Sequence, residues 1–263
     1  MLNALRGVYT IWYRELLRFW RNKMRMLTSI AMPLLFLFVF GSGLRGSLGN
    51  LGGGVDFIQF MFPGIIGMSV LMSAFMGGIS IVWDREFGFL KEVLVAPVNR
   101  GAVAFGKTLG TATVALLQGC LLLILTPVIG IKTDFVTVIS LIPLMFLMAV
   151  SLGSLGVFIA TRIKSMEAFQ GVMQLLMFPM IFLSGAFFPL NNVPTWMGVL
   201  VKFNPATYGI FPLRWVLLGQ EALESYAITL FGHSLTLWED IALLLVFTAL
   251  MIGLGMWSFS HQE

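Results

Sequence analysis

Six stretches of the chain are apolar on every face and contain no Asp, Glu, Lys or Arg: 27–44, 57–83, 108–131, 135–161, 168–188 and 241–260. A bilayer core of ~30 Å is crossed by roughly 20 helical residues, so each stretch predicts a membrane span. They are too long, and too apolar on both faces, for barrel strands that alternate with period two over about 10 residues. Pro33, Pro63, Pro127, Pro143 and Pro179 fall inside them, where neighbouring helices can re-satisfy the freed carbonyls. A seventh apolar region, 189–219, is broken by Pro194, Pro205, Pro212, Gly198 and Gly209 and contains Lys202 and Arg214. It predicts short re-entrant helices rather than one unbroken span. The fold class expected is an all-α integral membrane protein, a single transmembrane domain over 1–263. It has an N-terminal arm (1–26), a loop at 84–107 after span two and a re-entrant region before span six.

Composition narrows the alternatives. Of 263 residues, 58% are hydrophobic and 11% charged, against about 25% charged in soluble domains. A water-soluble enzyme is excluded, and so is disorder, whose signature is low hydrophobicity with high charge. The single cysteine, Cys120, excludes a disulfide-stapled module. The basic balance (sequence pI ≈ 9.5) then carries topology rather than nucleic-acid binding. Twelve of the sixteen basic residues lie in the arm, the 84–107 loop and the 162–167 loop, while Arg45, Lys132, Lys202 and Arg214 lie on the other side. Positive residues mark the cytoplasmic side, so both termini are expected there, in a multi-pass protein of the cell membrane.

The arm has its own pattern. Arg14, Arg18, Arg21 and Arg25 recur at helical steps, with Leu5, Tyr9, Trp12, Leu16 and Phe19 on other faces. That suits a helix lying in the headgroup layer or a basic anchoring flank. Within the spans, Gln118, Gln170 and Gln174 are the most polar side chains and suit helix–helix hydrogen bonds or substrate contact. Ser69, Ser73 and Gly77 form a ribbon of small residues on span two, and Ala249 with Gly253 repeats it on span six; both suit helix packing, within the subunit or at a dimer seam. His233 and His261 have no ligand-spaced partners, so no metal and no catalytic residue is expected. A self-sufficient secondary carrier or channel is the alternative to a partner-driven permease, but it lacks intramembrane charges to act as relays.

Gly101 to Thr108 reads G-A-V-A-F-G-K-T and satisfies the phosphate-binding pattern G-x-x-x-x-G-K-[ST]. The strand before it, and the room for a nucleotide domain, are missing. The match is read as fortuitous, with Lys107 expected to snorkel to the headgroups at the start of span three.

Two further segments carry more. Residues 83–100 begin Trp83-Asp84-Arg85-Glu86-Phe87-Gly88-Phe89-Leu90 and end at Pro97-Val98-Asn99-Arg100, a short charged helix with an apolar cluster in need of cover. Later come Ser184-Gly185 with Pro189, then Pro194 with Trp196, then Asn204-Pro205-Ala206-Thr207-Tyr208, and Arg214. In this order the chain resembles the membrane subunit of type-2 ABC exporters, the class of the drug-resistance, polysaccharide and lipo-oligosaccharide permeases. The resemblance implies that the loop after span two docks as a coupling helix into a separate ATPase, with Asp84, Arg85, Glu86, Phe87, Phe89 and Leu90 at the contact and Glu86 foremost. It implies that the arm with Arg14, Arg18, Arg21 and Arg25 is a second contact. It also implies that Pro189, Pro194, Trp196, Asn204, Pro205, Tyr208 and Arg214 belong to re-entrant helices capping the outer side. Two permease chains, alike or different, would work with two ATPase copies, which would hold the ATP and Mg; this chain would bind no cofactor itself. Membrane lipids complete the expected partners.

Overall fold

The computed structural model describes residues 2–48, 56–88, 100–190, 193–219, 229–230 and 233–260. Its elements in chain order are α1 (Leu2–Arg21), α2 (Lys23–Leu48), α3 (Phe57–Met76), α4 (Ile79–Glu86), α5 (Arg100–Leu123), α6 (Phe135–Arg162), α7 (Met166–Phe182), α8 (Thr195–Phe203), α9 (Pro205–Leu218) and α10 (Leu237–Ser260). A two-stranded antiparallel hairpin, β1 (Thr229–Leu230) with β2 (His233–Ser234), precedes α10 and pairs Thr229 with Ser234. It is the one departure from an all-α fold among the described residues.

Five helical stretches are long and apolar enough to cross a membrane: Met26–Gly43, Phe57–Glu86, Gly101–Leu123, Phe135–Arg162 and Leu237–Ser260. The fifth expected span is the shorter apolar helix α7, about 26 Å long at ~1.5 Å per residue. It stops where the Ser184 hydroxyl donates to the Ile181 carbonyl and Gly185 turns the chain at φ 74°. Several helices run past the charge-free stretches, the first at both ends (Lys23–Leu48). The second span runs on through Asp84, Arg85 and Glu86, the third starts at Arg100, and the sixth starts at Leu237 and takes in Glu239 and Asp240. At the last site the Glu239 side chain reaches back to the residue before the helix, its carboxylate accepting from the Thr236 backbone N–H (2.7 Å) and hydroxyl (2.9 Å).

The second span is the centre of the packing, with 83% of its apolar window buried against 17% for the first and 22% for the last. In lipid, apolarity alone does not choose neighbours; close approach of small residues does. A Cβ on Gly64 would lie 2.3 Å from the Ala186 carbonyl oxygen, and one on Gly67 2.4 Å from Ile210. At Gly77–Gly78, Cβ atoms would collide with Thr111 and with the Gly156 carbonyl. There the chain passes from α3 to α4 through i→i−3 bonds (Gly77 to Ala74, Gly78 to Phe75, Ser80 to Gly77), a tightened turn. The ribbon of Ser69 and Gly77 is thus used inside the chain. The ribbon at Gly253 is not, since nothing lies within 4 Å of its Cβ position.

α9 packs against α3, α6 and α10 and buries Ala206 through Arg214. α7 buries only the stripe Phe169, Met173, Met177 and Ile181. Gln170 and Gln174 lie on its exposed side, whereas Gln118 on α5 is buried.

Candidate functional site: the charged end and its buried ion cluster

The end of α4, the start of α5 and the ends of α6 and α10 meet at one end of the molecule, with α1 laid against α5. Glycine spacing explains the α1 seat. A Cβ on Gly106 would come to 3.0 Å from the Val8 carbonyl and one on Gly110 to 2.8 Å from Glu15 Cβ, while the Trp12 indole N–H donates to Thr113 Oγ1 at 3.0 Å. α1 therefore turns Ile11, Trp12, Glu15 and Phe19 towards the protein and leaves Leu5, Tyr9, Tyr13 and Trp20 exposed.

Beside that seat lies a cluster of three charges. Asp84, in the last turn of α4, is buried. Its Oδ1 and Oδ2 accept from Arg14 Nη2 at 2.9 and 3.1 Å, and its Oδ2 accepts from Lys107 Nζ at 2.5 Å. Lys107 Nζ also donates to Ser80 Oγ at 3.0 Å. The side chain of Lys107 is 4% exposed and that of Arg14 37%. Lys107 therefore does not snorkel to the headgroups, as its position at a helix start had suggested: a buried carboxylate one helix away holds it in place. The cluster ties α1, α4 and α5 together.

The phosphate-loop pattern has the same explanation. Gly106, Lys107 and Thr108 lie inside α5, where their amides serve the helix ladder and not a phosphate cradle. Gly106 is the close-approach residue for α1, and Lys107 is the partner of Asp84.

The residues assigned to the coupling motif separate into two kinds. Asp84 faces inward, and Arg85 is occupied, donating from Nη1 to the Ile163 carbonyl at 2.7 Å and from Nη2 to the Thr161 carbonyl at 3.2 Å. Those carbonyls close α6, so Arg85 caps a helix C-terminus. Asp84 and Arg85 therefore brace this helix end from within the chain. Glu86 and Phe87 are exposed, Phe87 at 72%, with its ring 5.1 Å from that of Trp83. Asp84, Arg85 and Glu86 form the last turn of α4, closed by Phe87 and by Gly88 at φ 77°. Phe89 and Leu90 lie outside the described residues, as does the side chain of Arg25. Arg18 reaches over the Trp83 ring, 6.0 Å from its centroid, and Arg21 is exposed. Nearby, Arg162 donates to Ser258 Oγ at 3.0 Å and lies 5.7 Å from the ring centroids of Phe158 and Trp257, joining α6 to α10.

The other motif group meets at the opposite end. Asn204 caps α9 by accepting from the Ala206 N–H, with Pro205 in the first turn, and its Nδ2 donates to the Met180 carbonyl at 2.7 Å. Thr207 Oγ1 lies 3.3 Å from the Leu183 carbonyl and 3.2 Å from that of Val201, and the Tyr208 hydroxyl donates to the Lys202 carbonyl at 2.5 Å. The N-P-x-T-Y sequence is thus a fastener: it fixes the α8–α9 corner to the end of α7. Arg214, 4% exposed, donates to the Gly185 carbonyl at 2.7 Å, its guanidinium 3.9 Å from the Phe60 centroid. Pro194 precedes α8, Trp196 on α8 is exposed and Pro189 is partly buried.

The described residues thus form a helical, multi-pass membrane protein with a charged end and a fastened corner opposite it. The chain belongs to the ABC-2 type transporter family, whose model matches residues 6–218. The chain is also similar to curated proteins over most of its length. A transport permease, ycf38, of Cyanophora paradoxa is 26% identical over 233 residues, covering 86% of this chain and 80% of its own. Nodulation protein J of Rhizobium leguminosarum bv. trifolii is 26% identical over 201 residues, 76% of each chain. Nodulation protein J of Rhizobium meliloti is 28% identical over 196 residues, 74% of each chain.

Proposed function

We propose that this chain is the non-enzymatic membrane subunit of an ATP-driven exporter, working as a dimer with two copies of a separate ATPase that hold ATP and Mg. The observation that carries the reading is the contrast within four consecutive residues: Asp84 and Arg85 are spent inside the chain, while Glu86 and Phe87 project from the same helix end. An exposed carboxylate beside an exposed aromatic, on a helix end braced by ion pairs, suits a contact that must transmit force rather than bend. The outward faces of α2 and α7, and of Ala249 and Gly253 on α10, are where a second permease chain or lipid would lie. Counting α7 as a crossing gives six spans, with the basic end and both termini in the cytoplasm and α8–α9 re-entrant from outside. The apolar spans, rich in aromatic residues and Met, suit an amphipathic substrate such as a lipid, glycolipid or drug.

The test is Glu86→Ala in the assembled transporter. Folding and membrane insertion should be unchanged, because Glu86 is exposed, while transport falls at least tenfold relative to ATP hydrolysed by the partner. Unaltered transport would remove Glu86 from the coupling contact.

A further inference from the structure

A cavity of about 240 Å³ opens between α1, α3, α4 and α5 at the charged end. Its apolar wall comes from Phe19, Met76, Ile79 and Val114, and its polar wall includes Glu15, Arg18, Ser73 and Trp83. Glu15 is 7% exposed, and its Oε1 has no hydrogen-bond partner; the Ser73 hydroxyl oxygen has none either. A carboxylate oxygen withdrawn from water without a donor is costly. The neighbouring cation does not meet this need, because Lys107 donates to Asp84 and Ser80 instead. Arg18 lies one turn further along α1, its guanidinium over Trp83. The cavity therefore offers an acceptor seeking a donor, a cation about one helical turn away, and an apolar wall leading off both.

We infer that this cavity is a binding site for the headgroup of an amino-phospholipid. The primary ammonium donates to Glu15 and the Ser73 oxygen, the phosphodiester lies against Arg18, and the first acyl carbons follow Met76, Ile79 and Val114. An ammonium is favoured over a neutral hydroxyl because hydrogen bonds between two ionised groups are roughly twice as strong as neutral ones. The site goes beyond the transport reading and needs no ATPase, so it can succeed or fail independently.

The experiment uses the purified full chain in detergent, titrated with dihexanoyl phosphatidylethanolamine, phosphatidylcholine and phosphatidylglycerol, with binding read by native mass spectrometry. Phosphatidylcholine keeps the charge but has no N–H to donate; phosphatidylglycerol has donors but no cation. Phosphatidylethanolamine should bind saturably and at least tenfold more tightly than either. Glu15→Gln should reduce it to the phosphatidylcholine level, and Arg18→Gln should weaken phosphatidylethanolamine and phosphatidylcholine by similar factors. Equal binding of the three lipids, tighter binding of phosphatidylglycerol, or a preference that survives Glu15→Gln would overturn the assignment. If Glu15→Gln does not fold, the comparison of lipids on the unaltered chain decides alone.

Discussion

Replacing Asp84 by Asn keeps the side-chain shape and removes the charge on which Arg14 and Lys107 converge. The two partners respond differently. Arg14, with its side chain 37% exposed, can turn to water, but Lys107, at 4%, cannot and is left with neutral acceptors, the introduced amide oxygen and the Ser80 hydroxyl. The gross attraction of two charges 2.5 Å apart is about 7 kcal/mol at an effective dielectric near 20, largely offset by the desolvation already incurred. Removing one member of such a buried pair costs roughly 3–5 kcal/mol, because the survivor is stranded. Glu15 is also within electrostatic reach of Lys107, which places the expected loss near the lower bound. Arg14→Gln leaves the buried pair intact and should cost about 1 kcal/mol or less, as exposed ion pairs do. Asp84→Asn combined with Lys107→Met removes both buried charges and should recover most of the loss. The assay is thermal unfolding in detergent, followed by fluorescence-detected gel filtration. A loss for Asp84→Asn no larger than that for Arg14→Gln would refute the reasoning, and so would a double variant worse than Asp84→Asn alone.

Other expectations concern packing and topology. Gly64→Ala puts a methyl 2.3 Å from a backbone oxygen and should lower folded yield severely. Gly171→Ala, at an open position in α7, should be neutral or stabilising by about 0.5–1 kcal/mol; equal behaviour of the two in gel filtration would refute the packing assigned to the second span. Gly106→Val should lift α1 from α5 at about 1–3 kcal/mol, exposing a cysteine substituted at Ile11 to a water-soluble maleimide; unchanged labelling would contradict the seat. Cysteines placed near Lys91 should label from the cytoplasm and near Glu221 from outside, and reversed labelling would invert the proposed orientation.

Apolar run length fixed the membrane class and placed most helices, because the bilayer imposes the same requirement on any crossing segment. Charge is a poorer guide to where the helices end. Helix α5 begins at Arg100 rather than Thr108 because Lys107 has a carboxylate partner inside the protein, and nothing local to 100–110 reveals that Asp84 comes to it. A hint was available: Asp84 and Lys107 each sit at the edge of an otherwise uncharged run, on consecutive spans.

The sequence by itself determined that this is a polytopic helical membrane protein, asymmetric in positive charge, with two motif regions worth explaining. Hydrophobic length, proline and glycine placement and charge counts are local quantities, legible without knowing which helices touch. Tertiary structure decided what the motif residues do. It turned Asp84 and Arg85 inward and left Glu86 and Phe87 outward, and it made Gly106 a helix crossing and Lys107 an ion-pair partner. It also gave Asn204, Thr207 and Tyr208 the task of fastening the α8–α9 corner. The physical reason is that a side chain's role in a bilayer depends on whether its neighbour is lipid, water or another helix, and only the packed arrangement sets that neighbour.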